Sequence, residues 1–344
     1  MKRNLKRLSA SLILPIVVLF VCPSPAVFAA APVWISAPSA VLIDLNSQQF
    51  IYSKTPHLRR APASTTKILT SIVALDLLPL DRVVTVPGYV RNIPPSKINL
   101  RGGERYRVAD LVRAILINSA NDAAEALAVA VAGSRARFAT SMNRKARAIG
   151  CKHSNFVNPH GLPNSRQYST AFDMSLIMAE AERYPFIVET MKVRTTAIYS
   201  RSGRKIFLKN HNKMLWQNGH VLGKTGWTRA ARHCFVGVID TYNRRVIVAM
   251  LGSHRLWKDL KTLVDYQFGM NISPIQRNQK LWSREATRKM QIALARAGFN
   301  PGPADGRFGP ATLRAVQQFQ SASGLPPNGV VGPTTWDKLQ PFAY

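Results

Sequence analysis

The chain is 344 residues long, with 46% hydrophobic and 19% charged residues and a formal net charge of +30 at pH 7. That length accommodates one large domain and one small one. The basic residues are dispersed, and no aromatic-rich motif of an RNA-binding sheet accompanies them, so the charge indicates anionic surroundings and no nucleic-acid partner. The seven histidines are scattered without metal-ligand spacing, and we expect neither a metal nor another cofactor.

The first 30 residues are typical of an export signal. Four basic residues precede an apolar run at 8–21, and small residues follow at Ala29-Ala30-Ala31. The run is too short for a spanning helix and contains Pro15, so a stable membrane anchor is the weaker interpretation. Cys22 could carry a lipid, but Val21 is unfavourable before a lipidated cysteine. We therefore expect residues 1–30 to be a signal peptide that directs export to the periplasm, the cell wall or the medium.

Cleavage of that segment would remove four basic and no acidic residues and leave a net charge of +26. Outside the cytoplasm, such a charge favours contact with cell-wall polymers, lipid phosphates and the carboxylates of wall peptides. A solvated basic surface without a specific partner is an equally simple interpretation.

Residues 32–270 are predicted to form one mixed α/β domain. A strand hairpin about Asn46-Ser47 opens it, and an amphipathic helix closes it. The predicted strands are 40–45, 49–52, one ending at Lys224-Thr225, 235–241 and 246–251, and the predicted helices are 65–78, 110–131 and 257–268. The second helix is interrupted at 118–121, because Asn-Ser-Ala-Asn favours a loop. Strands at both ends with helices between them predict a sheet covered by helices.

Residues 271–282 are predicted to be a linker, since they contain Pro274 and few apolar side chains. Beyond it, residues 283–344 are predicted to form a separate small all-α domain of three helices. Helices are predicted at 285–297 and 310–321, the second with a proline in its first turn. The pattern Gly-x-x-Gly-Pro-x-Thr at 306–312 recurs 23 residues later. A duplicated turn–helix unit is therefore expected.

Three short motifs carry the chemistry. Ser64-Thr65-Thr66-Lys67 is followed after 55 residues by Ser119-Ala120-Asn121, and 105 residues further by Lys224-Thr225-Gly226. In this order they match the S-x-x-K, S-x-N and K-T-G elements of serine enzymes that act on penicillins or wall peptides. Each motif alone is weak evidence, but order, spacing and the export signal agree.

The residue types suit acyl transfer, which needs a nucleophile, a base, an oxyanion site and a grip on a terminal carboxylate. Ser64 and Lys67 lie one helical turn apart, and the lysine can act as base if burial or nearby cations lower its pKa. Ser119 offers a hydroxyl and Asn121 an amide to the substrate. Lys224 and Thr225 offer a cation and a hydroxyl to a carboxylate, and Gly226 permits close backbone approach.

The stretches around these motifs resemble the low-molecular-mass penicillin-binding proteins, the serine D-alanyl-D-alanine carboxypeptidases. They are 63–68, 117–123, Phe156-Val157-Asn158-Pro159-His160-Gly161-Leu162 and 223–228. The resemblance implies a penicillin-binding/β-lactamase-like fold and covalent inhibition by β-lactams.

It also implies roles for individual residues. Ser64 would be acylated and Lys67 would be its base, while Ser119 and Asn121 would line the site. Lys224 and Thr225 would bind the terminal carboxylate, beside Gly226. The remaining implied roles are an oxyanion hole formed by the N–H groups of Ser64 and Trp227, a second carboxylate ligand at Arg255 and a structural, non-catalytic His160.

The C-terminal segment departs from that family. The β-rich domain and anchoring helix of well-known members are not evident, and 284–339 instead resembles a small helical peptidoglycan-binding domain. Gly302-Pro303, 305–312 and the Val316-Gln317-x-Phe319-Gln320 stretch carry this likeness. We therefore expect tethering to the wall instead of to the membrane, with peptidoglycan as partner.

The sequence leaves several alternatives open. A D,D-carboxypeptidase and a D,D-endopeptidase that cleaves cross-links fit the motifs equally. A β-lactamase is disfavoured because no E-x-x-L-N segment supplies a deacylation base. A catalytically inactive wall-binding protein is disfavoured because the catalytic motifs are intact. Cys151 and Cys234 could pair in an oxidising compartment or remain buried thiols.

Overall fold

The computed structural model describes residues 33–217, 220–241, 244–269 and 274–343. The predicted export signal and Cys22 lie outside these ranges. Two compact units divide the chain, one formed by Val33–Ser273 and one that contains Pro274–Tyr344. None of the helices in the described ranges has both the length and the apolar composition needed to cross a membrane.

The larger unit is a mixed α/β domain. Its strands are β1 (Ser39–Asp44), β2 (Phe50–Lys54), β3 (Val83–Thr85), β4 (Arg105–Arg107), β5 (Thr195–Tyr199), β6 (Lys205–Lys209), β7 (Val221–Thr228), β8 (Arg232–Thr241) and β9 (Arg244–Ser253). Its helices are α1 (Lys67–Leu77), α2 (Val108–Ile117), α3 (Asn121–Ala132), α4 (Arg135–Ile149), α5 (Ala171–Ala181), α6 (Pro185–Lys192), α7 (Lys213–Gln217) and α8 (Leu256–Gly269).

A five-stranded antiparallel sheet with the order β2-β1-β9-β8-β7 forms the centre of this unit. Every residue of β1 is buried. Because successive side chains in a strand point to opposite faces, Val41 and Ile43 pack into the core shared with α1 to α6, and Ala40 and Leu42 pack into the core shared with α8. Helices therefore cover both faces of the sheet, which confirms the predicted fold class.

Strand β7 sits at one edge of the sheet and carries the K-T-G motif. It continues to Thr228 and pairs with β8 throughout, with Lys224 opposite Val236 and Trp227 opposite His233. The prediction that this strand ends at Lys224-Thr225 is therefore wrong. Gly226, Trp227 and Thr228 show no alternation of apolar and polar residues that would predict a strand. Their pairing with β8 determines their conformation.

The interruption predicted in the second helix is confirmed. Helix α2 ends at Ile117 and α3 begins at Asn121. Between them Ser119 has a φ of +61°, a left-handed conformation that a helix interior does not accept. This break turns the S-x-N motif away from the helix axis and toward the start of α1.

The C-terminal unit is all-α, and its helices are α9 (Pro274–Leu281), α10 (Arg284–Arg296), α11 (Pro310–Ala322) and α12 (Pro333–Leu339). The predicted linker at 271–282 is thus helical from Pro274 onward. Ile275 packs against the core of this unit. Asn278 donates to Gly329 O over 2.8 Å and accepts from Val331 N over 2.9 Å. These polar contacts hold α9 against the rest of the unit. The sequence of α9 lacks the apolar periodicity from which a helix is predicted.

The duplicated turn–helix unit is present in the structure, and each copy is fixed by one buried glutamine. Gln291 Oε1 accepts from Gly306 N over 2.9 Å, and Gln320 Oε1 accepts from Gly329 N over 2.8 Å. Each glutamine Nε2 also donates to a carbonyl of its turn and to a threonine hydroxyl of the following helix. The two copies therefore share one hydrogen-bond pattern.

Candidate active site

Ser64 lies in a short 3-10 turn, Ala63–Thr66, that leads directly into α1. Lys67 is the first residue of α1, so its side chain reaches back over the turn, and its Nζ lies 3.0 Å from Ser64 Oγ. Ala63, just before the serine, has a φ of +48°, which costs conformational energy in a non-glycine residue. The predicted pairing of Ser64 with Lys67 is present in the structure.

Lys67 is completely buried and held by two further oxygens. Its Nζ donates to Asn121 Oδ1 over 2.7 Å and to the His160 carbonyl oxygen over 2.7 Å. A neutral amine has two N–H donors and one lone pair. With both donors committed to these oxygens, the lone pair is left for the Ser64 hydroxyl, which is the geometry a general base requires.

Electrostatics favour that neutral form. Burial lowers the pKa of Lys67 well below its ordinary value, the positive charge of Lys224 lowers it further, and Asp122 opposes the shift. Burial alone lowers the pKa of Lys224 to about 7. The Nζ of Lys224 donates to Thr225 O over 2.8 Å. Desolvation thus disfavours the protonated form of both lysines, and the charge of Lys224 disfavours protonation of Lys67 further.

A cleft of about 770 Å³ opens above these residues. Of the residues predicted from sequence, it is lined by Ser64, Ser119, Asn121, Thr225, Gly226 and Trp227. A Cβ added at Gly226 would lie 2.9 Å from Ser64 N. Strand β7 therefore passes directly against the peptide of the serine, and only glycine permits that approach.

Two predicted residues take positions that the sequence did not suggest. Asn121 uses its amide within the protein, because its Oδ1 accepts from Lys67 and its Nδ2 donates to Pro94 O over 2.9 Å. Arg255 has an exposed side chain and does not line the cleft, although the next residues, Leu256 and Trp257, do. Asn121 thus orients the lysine, and Arg255 lies at the margin of the site.

His160 and Gly161 place the main chain beneath the serine. The carbonyl of His160 binds Lys67, and Gly161 has a φ of +82° with space for no side chain, since a Cβ there would lie 1.8 Å from Ala63 O. The side chain of His160 is buried, burial lowers its pKa well below the ordinary value, and its Nε2 lies 3.6 Å from Glu125; its structural role stays a prediction. The sequence of this stretch carries no signal for the role of a carbonyl oxygen.

His211 also lines the cleft and was not singled out from the sequence. Burial, reinforced by the charges of Lys224 and Lys67, lowers its pKa to about 4. It is therefore a neutral imidazole at physiological pH, able to donate one hydrogen bond and accept another. The only signal for it in the sequence is its position 13 residues before Lys224, which has no chemical meaning by itself.

The cysteines do not form a disulfide. Cys151 and Cys234 are both free and buried. Burial raises the pKa of both thiols, that of Cys234 to about 12. Of the two alternatives that the sequence left open, the structure has the buried thiols.

Penicillin-recognising serine enzymes share one arrangement of motifs. It consists of a serine just before a helix, a lysine one turn later and a K-T-G strand, and all three are present here. Comparison with protein families agrees. Residues 26–255 match the family model described as D-alanyl-D-alanine carboxypeptidase, and 283–339 match one described as a peptidoglycan binding domain. The chain belongs to the D-alanyl-D-alanine carboxypeptidase family and carries a C-terminal peptidoglycan-binding domain.

Individual relatives include two activities. D-alanyl-D-alanine carboxypeptidase DacF of Bacillus subtilis is 32% identical over 223 residues, 63% of this chain and 57% of DacF. A D-alanyl-D-alanine endopeptidase of Escherichia coli is 32% identical over 224 residues, 63% of this chain and 71% of that protein. The match thus spans little more than half of DacF.

Solved structures show the same fold. The crystal structure of a D-alanyl-D-alanine carboxypeptidase from Mycobacterium tuberculosis superposes with a TM-score of 0.67 at 28% identity, covering 72% of this chain and 96% of that one.

Proposed function

We propose that the protein is a penicillin-sensitive serine D,D-carboxypeptidase that removes the terminal D-alanine from peptidoglycan stem peptides. The observation that carries the proposal is the 3.0 Å distance from the Nζ of Lys67, a completely buried side chain, to Ser64 Oγ. Family membership and the activities of the relatives support the substrate class.

In the acylation step, neutral Lys67 accepts the proton of the Ser64 hydroxyl as Oγ attacks the carbonyl carbon of the penultimate D-alanine. The N–H groups of Ser64 and Trp227 are the proposed donors to the oxyanion that forms. Collapse breaks the C–N bond, and the nitrogen of the leaving D-alanine takes up a proton, with Ser119 as the proposed relay from Lys67. Water then attacks the acyl-enzyme and releases the shortened peptide.

Recognition of the terminal carboxylate is assigned to Lys224 and Thr225, with Gly226 allowing the backbone to approach. A carboxylate entering the cleft stabilises the charged form of Lys224 and raises its pKa above the value of about 7 that it has in the empty site. Arg255 is the proposed second cation. It would reach the substrate from the margin of the cleft, where its neighbour Leu256 is a lining residue.

Labelling with a fluorescent penicillin tests the acyl-enzyme. We expect one covalent adduct per chain in the wild type and none in Ser64→Ala. Labelling that survives Ser64→Ala overturns the proposal. Ser283→Ala, which removes a helix-capping hydroxyl in the C-terminal unit, is the control and leaves labelling intact.

A D,D-endopeptidase is the second candidate, favoured by the E. coli relative with that activity. The two reactions share every chemical step and differ in the amine that leaves. Mass spectrometry of the products from defined monomeric and cross-linked muropeptides separates them. Loss of D-alanine from monomers alone supports the carboxypeptidase, and conversion of dimers to monomers supports the endopeptidase.

The C-terminal unit is proposed to hold the exported enzyme at the wall. Its match to a peptidoglycan-binding family supports this role. Deletion of Pro274–Tyr344, which removes α9 with the rest of that unit, is expected to weaken sedimentation with purified sacculi and to leave hydrolysis of a soluble diacyl-D-Ala-D-Ala peptide unchanged. Sedimentation that equals that of the full chain at physiological salt overturns the tether, because the basic surface alone would then account for binding.

A further inference from the structure

A second cleft in the larger unit is lined mainly by cations. It has a volume of about 380 Å³ and lies where the connection between β3 and β4 meets the turn between β5 and β6. Its charged lining residues are Arg91, Lys97, Arg101 and Arg204. None of them belongs to the active-site cleft.

The cations of this cleft differ in what they contact. Arg204 is fixed, since its Nη1 donates to both carboxylate oxygens of Glu104 over 2.9 and 2.8 Å and its Nη2 donates to Asn99 O over 3.1 Å. Arg91 and Arg101 are exposed, and their guanidinium groups have no hydrogen bond or ion pair with any residue that the structure describes. With Glu104 balancing Arg204, the cleft keeps an excess of positive charge.

One segment of chain joins this cleft to the active site. Pro95 and Ser96 line the active-site cleft, and Lys97 and Asn99 line the basic one. The buried carboxylate of Asp122 fixes this segment, because it accepts hydrogen bonds from the N–H groups of Ile98 and Leu100. A buried carboxylate that holds two backbone amides leaves the segment little freedom, so the two clefts keep a constant spacing.

The charge distribution along the sequence is independent support. Residues 190–239 contain ten lysines and arginines and no aspartate or glutamate. This acid-free segment includes Arg204, His211 and the whole K-T-G strand. The segment therefore adds positive charge to the wall of the active-site cleft and, through Arg204, to one side of the basic cleft, and a cleft focuses such potential.

We propose that the basic cleft is an anion subsite that binds an oxyanion, a carboxylate or a phosphodiester, carried by the wall material that the active site engages. The identity of that material rests on the proposed function. The exposed guanidiniums of Arg91 and Arg101 present planar donor pairs suited to either oxyanion. The subsite adds affinity for an acidic substrate and takes no part in the chemical step.

The test uses the full exported chain at low ionic strength, where exposed charges act most strongly. The variant is Arg91→Gln/Arg101→Gln, and the matched control is Arg144→Gln/Arg147→Gln, which removes two exposed charges from α4. One arm measures kcat/KM for two soluble peptides that end in D-Ala-D-Ala and differ only by an upstream glutamate or glutamine. The other arm measures binding of poly(glycerol phosphate).

For a carboxylate ligand, the variant lowers kcat/KM for the glutamate peptide by about three- to tenfold, the range expected for two exposed charge contacts, and leaves the glutamine peptide within about twofold of wild type. For a phosphodiester ligand, both peptides are unaffected and the polymer binds about three- to tenfold more weakly. Effects in both arms no larger than those of the control overturn the subsite. A wild-type protein that takes no penicillin and cleaves neither peptide refutes the proposed function instead, and polymer binding still decides the subsite.

Discussion

The Nζ of Lys67 donates to Asn121 Oδ1 over 2.7 Å, although the two residues lie 54 positions apart in sequence. The lysine of S-x-x-K is therefore oriented by the asparagine of S-x-N, and the two motifs form one unit. A neutral amide orients the amine without supplying the negative charge that would hold a proton on it. We propose that Asn121 positions the lysine through this combination of a strong acceptor and no charge.

Replacing Asn121 with aspartate tests that statement. A carboxylate at this distance favours the protonated form of Lys67, so the rate of penicillin acylation at pH 7 is expected to fall by about 10²–10⁴, the usual contribution of a general base. The acid limb of the rate–pH profile should move to higher pH. Stopped-flow labelling across pH 5–11 measures both. Asn143→Asp, which removes a comparable bridging amide, should leave the profile unchanged, and an unshifted profile in Asn121→Asp would contradict the interpretation.

Lys224 couples stability to activity. Its pKa is about 7 in the folded protein and near 10.5 when unfolded, so the unfolded chain binds more protons between these values. Stability therefore rises with pH from about 7 to 10.5, and the cost of burying the lysine is largest below that window.

Lys224→Met is accordingly expected to raise the free energy of unfolding at pH 7 by a few kcal/mol, with roughly 5 kcal/mol as the limit set by the pKa difference. It should also move the acid limb of acylation to higher pH, because the charge of Lys224 lowers the pKa of Lys67. Denaturant unfolding and rate–pH profiles measure the two effects. Lys258→Met, at an exposed position, is the control. A less stable Lys224→Met protein would refute the argument.

Gly161 supports the serine through its lack of a side chain. Ala at this position would place Cβ 1.8 Å from Ala63 O at a φ of +82°, so the turn that carries Ser64 must move. We expect Gly161→Ala to lose penicillin labelling and to lower Tm by about 10 °C, which corresponds to roughly 3 kcal/mol in a domain of this size. Gly88→Ala, where a Cβ meets nothing within 4 Å, should match wild type in both measurements. A labelled, stable Gly161→Ala protein would contradict this role.

The glutamines of the C-terminal repeat make a prediction about stability alone. Gln320→Leu leaves Gly329 N without its acceptor in a buried setting, at a cost of about 1–3 kcal/mol. It also removes one of the two donors to Val330 O, which keeps the bond from Gly332 N. Hydrogen exchange of amides in 274–343 should therefore accelerate, with no change in penicillin labelling. Gln318→Leu on the exposed side of α11 should have no such effect. Equal rates of amide hydrogen exchange in the two variants would contradict the stabilising role of Gln320.

Sequence patterns predicted most of the features that depend on side-chain chemistry. The S-x-x-K, S-x-N and K-T-G motifs fell in the right order, and the helix break at 118–121 was visible because its residues favour local hydrogen bonds. What the sequence could not supply are contacts made by the main chain. The His160 carbonyl that holds Lys67 leaves no trace in the identity of the residue.

The errors have physical causes of the same kind. The linker prediction for 271–282 is wrong because Asn278 holds α9 through amide contacts instead of an apolar stripe. The predicted end of the K-T-G strand is too early because its last residues owe their conformation to pairing with β8. The orientation of the Asn121 amide toward Lys67 depends on two helices meeting in space, which spacing along the chain does not encode.

The long sequence separations within the site have a further consequence. Lys67 contacts residues 54 and 93 positions away, and the K-T-G strand lies further along the chain still. A fragment that lacks any of these segments lacks part of the set, so we expect a partly folded chain to have no competent base. We therefore expect reactivity toward penicillin, which rests on the proposed function, to report the completed tertiary structure of the larger unit.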